Sequence, residues 1–355
     1  MKPLRAPIPV NETSLRASIG RILAGGVLAL SGAGEIRADA NLPQPLNAGL
    51  THPELHPGIN VGQATADYSA DGLKLTVNQT TDKAVLDWHS FDIAAGHSVQ
   101  FVQPGATSIA LNNIHQLDAS KIYGNLSANG QVYLVNANGF IFGKEAAVNA
   151  NTLVATTLKI SDQVFEKGIS KVVDANAAPG AGNADPVAAL TADGSIYREL
   201  GNGKREKIRI LVEAGAKVAA AAGGRVVMAA PDVENRGTIA APDGQVILAA
   251  ATDKVYLQES DDDNLRGLLV EVQTGGDVKN VGKILTERGN TTMMGFAVAQ
   301  QGIVSASTSV ALNGSVRLLA REGARLEADG NRYVLKPATT TRASAGDDGS
   351  ARWPA

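Results

Sequence analysis

Gly124-Asn-Leu-Ser-Ala-Asn-Gly130-Gln-Val-Tyr-Leu134 returns, with one residue inserted, as Gly237-Thr-Ile-Ala-Ala-Pro-Asp-Gly244-Gln-Val-Ile-Leu248. Its second half recurs in Gly224-Arg-Val-Val-Met228 and Gly314-Ser-Val-Arg-Leu318. Its first half is echoed by Asn235-Arg-Gly-Thr-Ile239, Asn280-Val-Gly-Lys-Ile284 and Gln300-Gln-Gly-Ile-Val304. Gly224 to Gly244 is 20 residues, Asn280 to Gln300 is 20, and Asn235 to Asn280 is 45, read here as two turns with a small insertion. A strand–turn–strand unit at this period is the mark of a solenoid, because each unit buries its apolar side only by stacking on the next. Asn and Gly at the corners supply left-handed backbone, and stacked Asn can form amide ladders.

The rest of the chain has the same texture. Leu73-Lys-Leu-Thr-Val77, Val99-Gln-Phe-Val102, Gln131-Val-Tyr-Leu-Val135 and Lys254-Val-Tyr-Leu257 alternate with period two, the strand signal. Helical periodicity is confined to Lys144–Ala150 and Ser161–Val173. The 355 residues include 38 Gly and 14 Pro, which implies many turns, and only 4% aromatics, so the core is built from Val, Ile, Leu and Ala. Lys+Arg is 32 against Asp+Glu 35; a net charge of -3 argues against a nucleic-acid partner. The absence of Cys excludes a disulfide scaffold, a thiolate metal site and a Cys nucleophile.

Residues 1–40 read as an extended export signal. Lys2, Arg5, Arg16 and Arg21 precede the uncharged run Ile22–Gly34, and Ala38-Asp39-Ala40 offers a cleavage site after Ala40. The run is shorter than the roughly 20 apolar residues a spanning helix needs. Such a leader implies the Sec machinery, passage through the periplasm, and a final place at the cell surface or outside it. Asp174–Gly194, rich in Ala, Gly and Pro, reads as a loop projecting from the coil. Residues 336–355 read as a disordered tail or the start of a linker.

No constellation for catalysis or metal binding emerges. His52-Pro-Glu-Leu-His56 is broken by Pro53 and Pro57, so the imidazoles do not share a helix face. His89, His97 and His115 stand singly. Gly180-Ala-Gly182 and Gly201-Asn-Gly203 lack phosphate-loop form. The acidic run Asp261–Asp263 with Glu259 reads as a solvated turn. An alternative is a polysaccharide-binding protein, or a lyase or hydrolase using paired carboxylates in a groove, with an extracellular polysaccharide or host glycan as partner.

Three segments carry a family resemblance. Ala84-Val-Leu-Asp-Trp88-His-Ser-Phe91-Asp-Ile93 resembles an "I-I-N-W-x-x-F-x-I" run. Gly130–Ala146, through Asn136-Ala-Asn138-Gly139-Phe140-Ile-Phe-Gly143, resembles "G-x-V-x-L-I-N-P-N-G-I-x-x-G". Val148–Leu158 resembles the "G-x-x-A-S-T-L" strand that follows. These are segments of the two-partner secretion domain of filamentous haemagglutinin and the high-molecular-weight adhesins, exoproteins of Gram-negative bacteria. Ala137 stands where the family has Pro, yet an Asx-type turn with positive φ at Gly139 is still expected. The family's N-P-N-L motif is absent, and Leu111-Asn112-Asn113-Ile114 lies near its place.

The resemblance implies an all-β, right-handed parallel β-helix over residues 41–335, with an antiparallel cap at about 41–80 and loops outside the coil. It implies a non-enzymatic module without cofactor that directs export through an outer-membrane barrel with periplasmic POTRA domains. It then nucleates folding of an adhesin at the cell surface. Asn112, Asn113, Asn136, Asn138, Gly139, Phe140 and Gly143 are the residues assigned to the transporter motif, and Trp88 and Phe91 to packing at a coil end.

Overall fold

In every third strand or so the backbone returns to where it was one coil earlier, and the apolar side chains stack in rows as it does so. The computed structural model describes residues 41–47, 49–169, 188–192, 195–200, 203–259, 267–306, 315–320, 324–329 and 332–337. The export-signal reading with Ala38 and Ala40, the run Asp261–Asp263, residues 338–355 and all but 188–192 of the proposed projecting loop lie outside them.

Three parallel sheets wrap one core. Sheet 1 has nine strands in the order Gln44–Pro45, Lys83–Ser90, Ile109–Ile114, Gln131–Val135, Thr152–Thr156, Arg225–Ala230, Gln245–Ala250, Asn290–Gly295 and Ser315–Ala320. Sheet 2 also has nine: Ala64–Tyr68, Lys74–Gln79, Ser98–Val102, Asn125–Ala128, Ala147–Ala150, Lys217–Ala220, Thr238–Ala240, Lys283–Leu285 and Ile303–Ser305. Sheet 3 runs through Ser120–Ile122, Phe140–Phe142, Ile210–Val212, Asp232–Asn235, Asp277–Asn280 and Ala297–Gln300. The chain visits sheets 2, 1 and 3 in turn, so it is a β-helix. At the N-terminal end, Gln44–Pro45 and Ala64–Tyr68 pair antiparallel with the first coil and cover its open edges.

Register explains the repeats. Leu75, Val99, Leu126, Val148, Val218, Ile239, Ile284 and Val304 are successive partners in one inward row of sheet 2. All but Val304 are buried, each contributing roughly 1.5–3 kcal/mol. The 20-residue spacing is one coil, since Gly224 and Gly244 precede the paired strands Arg225–Ala230 and Gln245–Ala250. The 45-residue spacing is also one coil, not two, because Asn235 pairs directly with Asn280. The extra length is a hairpin, Lys254–Glu259 with Leu268–Val272.

That hairpin joins Lys159–Ile160 and Leu190–Thr191 in an antiparallel sheet of four strands. With the short helix Asp162–Lys167 it makes a second apolar core outside sheet 1, where Tyr133, Val154, Val227 and Ile247 meet Val164, Phe165, Val255 and Val270. Only part of Ser161–Val173 is helical among the described residues, with Ser161 Oγ accepting the Val164 amide as cap. Lys144–Ala150 is a turn and the strand Ala147–Ala150, buried at alternate positions; three and a half residues per turn is hard to tell from two over so short a window.

Candidate functional site

The family-like motif occupies the corner between sheets 1 and 3 in the third coil. Asn136 ends its strand fully buried. Its Oδ1 accepts the Asn138 amide at 2.8 Å, and its Nδ2 donates to Asp118 O at 3.1 Å and Ser120 Oγ at 2.9 Å in the coil before. Asn138 Nδ2 donates to Gln116 O at 2.9 Å. The two asparagines therefore clip the third coil to the second. Gly139 has φ +101, and a Cβ there would lie 2.3 Å from Arg209 O in the next coil. The expected Asx turn forms without proline because the side-chain amide of Asn136 closes it. Phe140 and Phe142 enter the core with centroids 6.3 Å apart. Gly143 leaves room for the Tyr123 ring, which a Cβ would meet at 1.7 Å.

A second brace lies one and two coils earlier. Asn112 falls on an inward row, between Leu86 and Leu134, with no exposed surface. A buried amide needs its bonds made. Trp88 Nε1 donates to Asn112 Oδ1 at 2.9 Å, and Asn112 Nδ2 donates to Ala110 O and Tyr133 O. Trp88 meets Phe91 edge-on at 5.2 Å in the core near Leu42 and Leu50. Asn113, the next residue, faces outward.

The outward face at this place holds a group the sequence reading passed over. Asp87 is fully buried on the outside of sheet 1. Its Oδ2 accepts His56 Nε2 at 2.9 Å and its Oδ1 accepts His115 Nε2 at 3.0 Å. Its backbone accepts Leu46 N–H and donates to Leu50 O. One aspartate thus ties the cap segment to the first two coils. An Asp in the apolar run Ala84–Trp88 was the available signal. The two imidazoles flank a cleft of about 580 Å³ with a floor of Val85, Leu111 and Val135; Asn113, Ala137 and Lys159 stand on its walls. His52 is elsewhere, bonded to Glu54 and Gly49 O, so the His52/His56 pair is not brought together. Among the described residues no group of three acids or histidines is placed to hold a metal.

The acids nearest the motif are spoken for. Gln116 Nε2 reaches both Asp92 and Asp118, its Oε1 accepts the Phe91 amide, and Asp92 also accepts the Lys121 amide at 2.6 Å. Burial holds the Asp92 carboxyl above its usual range. The Tyr133 hydroxyl is pushed up by burial as well, and it donates to Gln131 at 2.8 Å.

Known proteins resemble the chain in both sequence and fold. The family model described as the TPS secretion domain matches residues 57–331. A heme/hemopexin-binding protein of Haemophilus influenzae strain Rd is 43% identical over 115 residues, 32% of this chain and 13% of the relative. A second protein of that name from Haemophilus influenzae is 42% identical over 99 residues, 28% of this chain and 10% of the relative. The chain therefore aligns with about an eighth or less of these curated relatives. The HMW1 secretion domain from Haemophilus influenzae superposes with a TM-score of 0.56 at 24% identity, covering 78% of this chain and 64% of that one, a likeness of fold.

Proposed function

The chain belongs to the TPS secretion domain family, and from that premise we propose that it steers its own exoprotein to a barrel transporter of the outer membrane and then starts the folding of that exoprotein outside. Modules of this family serve export across the outer membrane, and the matching family model and the HMW1 fold neighbour are both described as secretion domains. The observation that carries the reading is that the family match, 57–331, runs along the coil itself from the cap to the last strands.

Export on this reading runs in two stages. A barrel pore passes an extended chain, so recognition precedes folding. In an extended chain the alternating strands Val99–Val102 and Gln131–Val135 present main-chain groups for strand addition to POTRA domains, with specificity from alternate side chains. The motif residues Asn136, Phe140 and Gly143 are packed inside the folded coil, so a transporter reads them before the coil closes. Once outside, each coil needs only the one before it, which allows folding in order of emergence without ATP. The cap and the Asp87 tie give the first coil a partner before a second one exists.

Co-expression with and without the candidate transporter tests this. Export is expected only with it, and Val132→Pro with Leu134→Pro is expected to abolish export; undiminished secretion of that variant counts against strand recognition. We further propose that the exported protein is an adhesin of the haemagglutinin type. The names of the two Haemophilus relatives raise heme or hemopexin as the competing cargo. Binding of the secreted protein to erythrocytes, hemin-agarose and immobilised hemopexin separates the two.

A further inference from the structure

The outer side of sheet 2 differs from the other two faces. Sheet 1 is covered by the cap and the four-stranded sheet. Sheet 3 carries ion pairs, with Glu234 held by Arg236 and Lys279, and Lys207 by Asp232 and Asp277. The eight parallel strands of sheet 2 contain no Asp or Glu. One outward row reads Lys74, Ser98, Asn125, Ala147, Lys217, Thr238, Lys283, Ile303 in strict register. The neighbouring row reads Thr76, Gln100, Ser127, Asn149, Ala219, Ala240, Leu285, Ser305 over the same pairings. Lys74 is engaged with Gln100 Oε1 at 2.7 Å, but Lys217 and Lys283 make neither an ion pair nor a side-chain hydrogen bond among the described residues, and both are exposed. At a strand spacing of 4.7–4.9 Å they stand about 9.5 Å apart with Thr238 between them.

We propose that this face binds a linear acidic polysaccharide laid along the coil axis, its carboxylates on Lys217 and Lys283 and its hydroxyls on the Ser, Thr and Asn side chains of the two rows. The face and such a polymer are complementary in charge and in hydrogen-bonding groups. A cationic row without acids attracts an anionic chain. Short hydroxyl and amide side chains on a flat sheet present donors and acceptors at a regular rise, which suits a polymer with many hydroxyls. The cations are too sparse, and the net charge too negative, for a nucleic acid held by phosphate neutralisation. A second copy docked face to face would set lysine against lysine. This site is independent of the export reading, because it concerns the folded coil.

The test is binding of the full chain to immobilised polygalacturonate, with neutral dextran and double-stranded DNA as comparisons, at low and high salt. The expected result is binding to polygalacturonate alone, weakened by salt as exposed ion pairs are. It should fall at least tenfold in Lys217→Gln/Lys283→Gln, hold in Lys254→Gln on another face, and tighten in Thr238→Lys. Circular dichroism checks that each variant is folded. No binding to polygalacturonate, equal binding to dextran or DNA, or affinity unchanged in the double variant would overturn the proposal.

Discussion

At the scale of single residues, the motif corner is a packing device. Asn136→Ala leaves the Asn138 amide, Asp118 O and Ser120 Oγ without their buried partner, at 1–3 kcal/mol for an unmet group. A loss of about 2–4 kcal/mol is expected in urea unfolding, with the midpoint moving and the slope unchanged. Gly139→Ala combines positive φ with the clash at Arg209 O and is expected to cost at least as much. Two carboxylates set opposite pH slopes. Glu234 is held below its usual range by the hydrogen bond from Arg236 and by the charge of Lys279. Its stabilisation is therefore present above the unfolded value of about 4.3 and is lost as pH falls through the folded one. Asp92 is raised by burial, so the native state binds its proton more tightly and stability falls as pH rises from about 4. Glu234→Gln should lower the urea midpoint at pH 7, by an amount that shrinks as the pH falls through the folded value. Asp92→Asn should raise it at pH 7, since the amide oxygen can still accept the Lys121 N–H. A midpoint at pH 7 that moves the other way in either variant would refute the assignment.

At the scale of elements, the strands were legible and the excursions were not. Alternation and recurring Asn-x-Gly corners identify a strand because its inward row must be apolar and its corner must admit the coil before it: the expected left-handed backbone is not found at Gly237, Gly282 or Gly302, where a Cβ would instead meet carbonyl oxygens of the preceding coil at 2.0–2.6 Å. A hairpin that leaves the coil has the same alternation, as Lys254–Leu257 shows, so sequence spacing alone split one long coil into two. The function of that hairpin is to cover apolar positions on the outside of sheet 1. Val255→Asp is expected to loosen the four-stranded sheet while sparing the coil: limited proteolysis should cut near 254–272 while the parallel-sheet signal in circular dichroism persists, and a dye for exposed apolar surface should bind. Simultaneous loss of all strand signal would show instead that the outer sheet and the coil fold as one unit.

At the scale of the whole molecule, stability should be graded along the coil. Coils flanked on both sides and roofed by the second core have every edge paired, whereas Ala297–Gln300 and Ile303–Ser305 lie at the far rim, with Phe296 and Ile303 exposed. Hydrogen exchange is expected to be slowest in Gln131–Thr156 and Arg225–Ala250 and fastest in Ala297–Ser305; uniform protection would contradict stacking as the source of stability. The sequence by itself determined the repeating coil, its family and the turn at Asn136–Gly139, because period, corner chemistry and apolar alternation are local and are written once per coil. Only the tertiary structure decided what faces what: that Asp87 joins His56 to His115, that Asn112 is buried under Trp88, and that Lys217, Thr238 and Lys283 share a row. Those juxtapositions depend on register between segments 20 to 70 residues apart, which closes only when the coils stack.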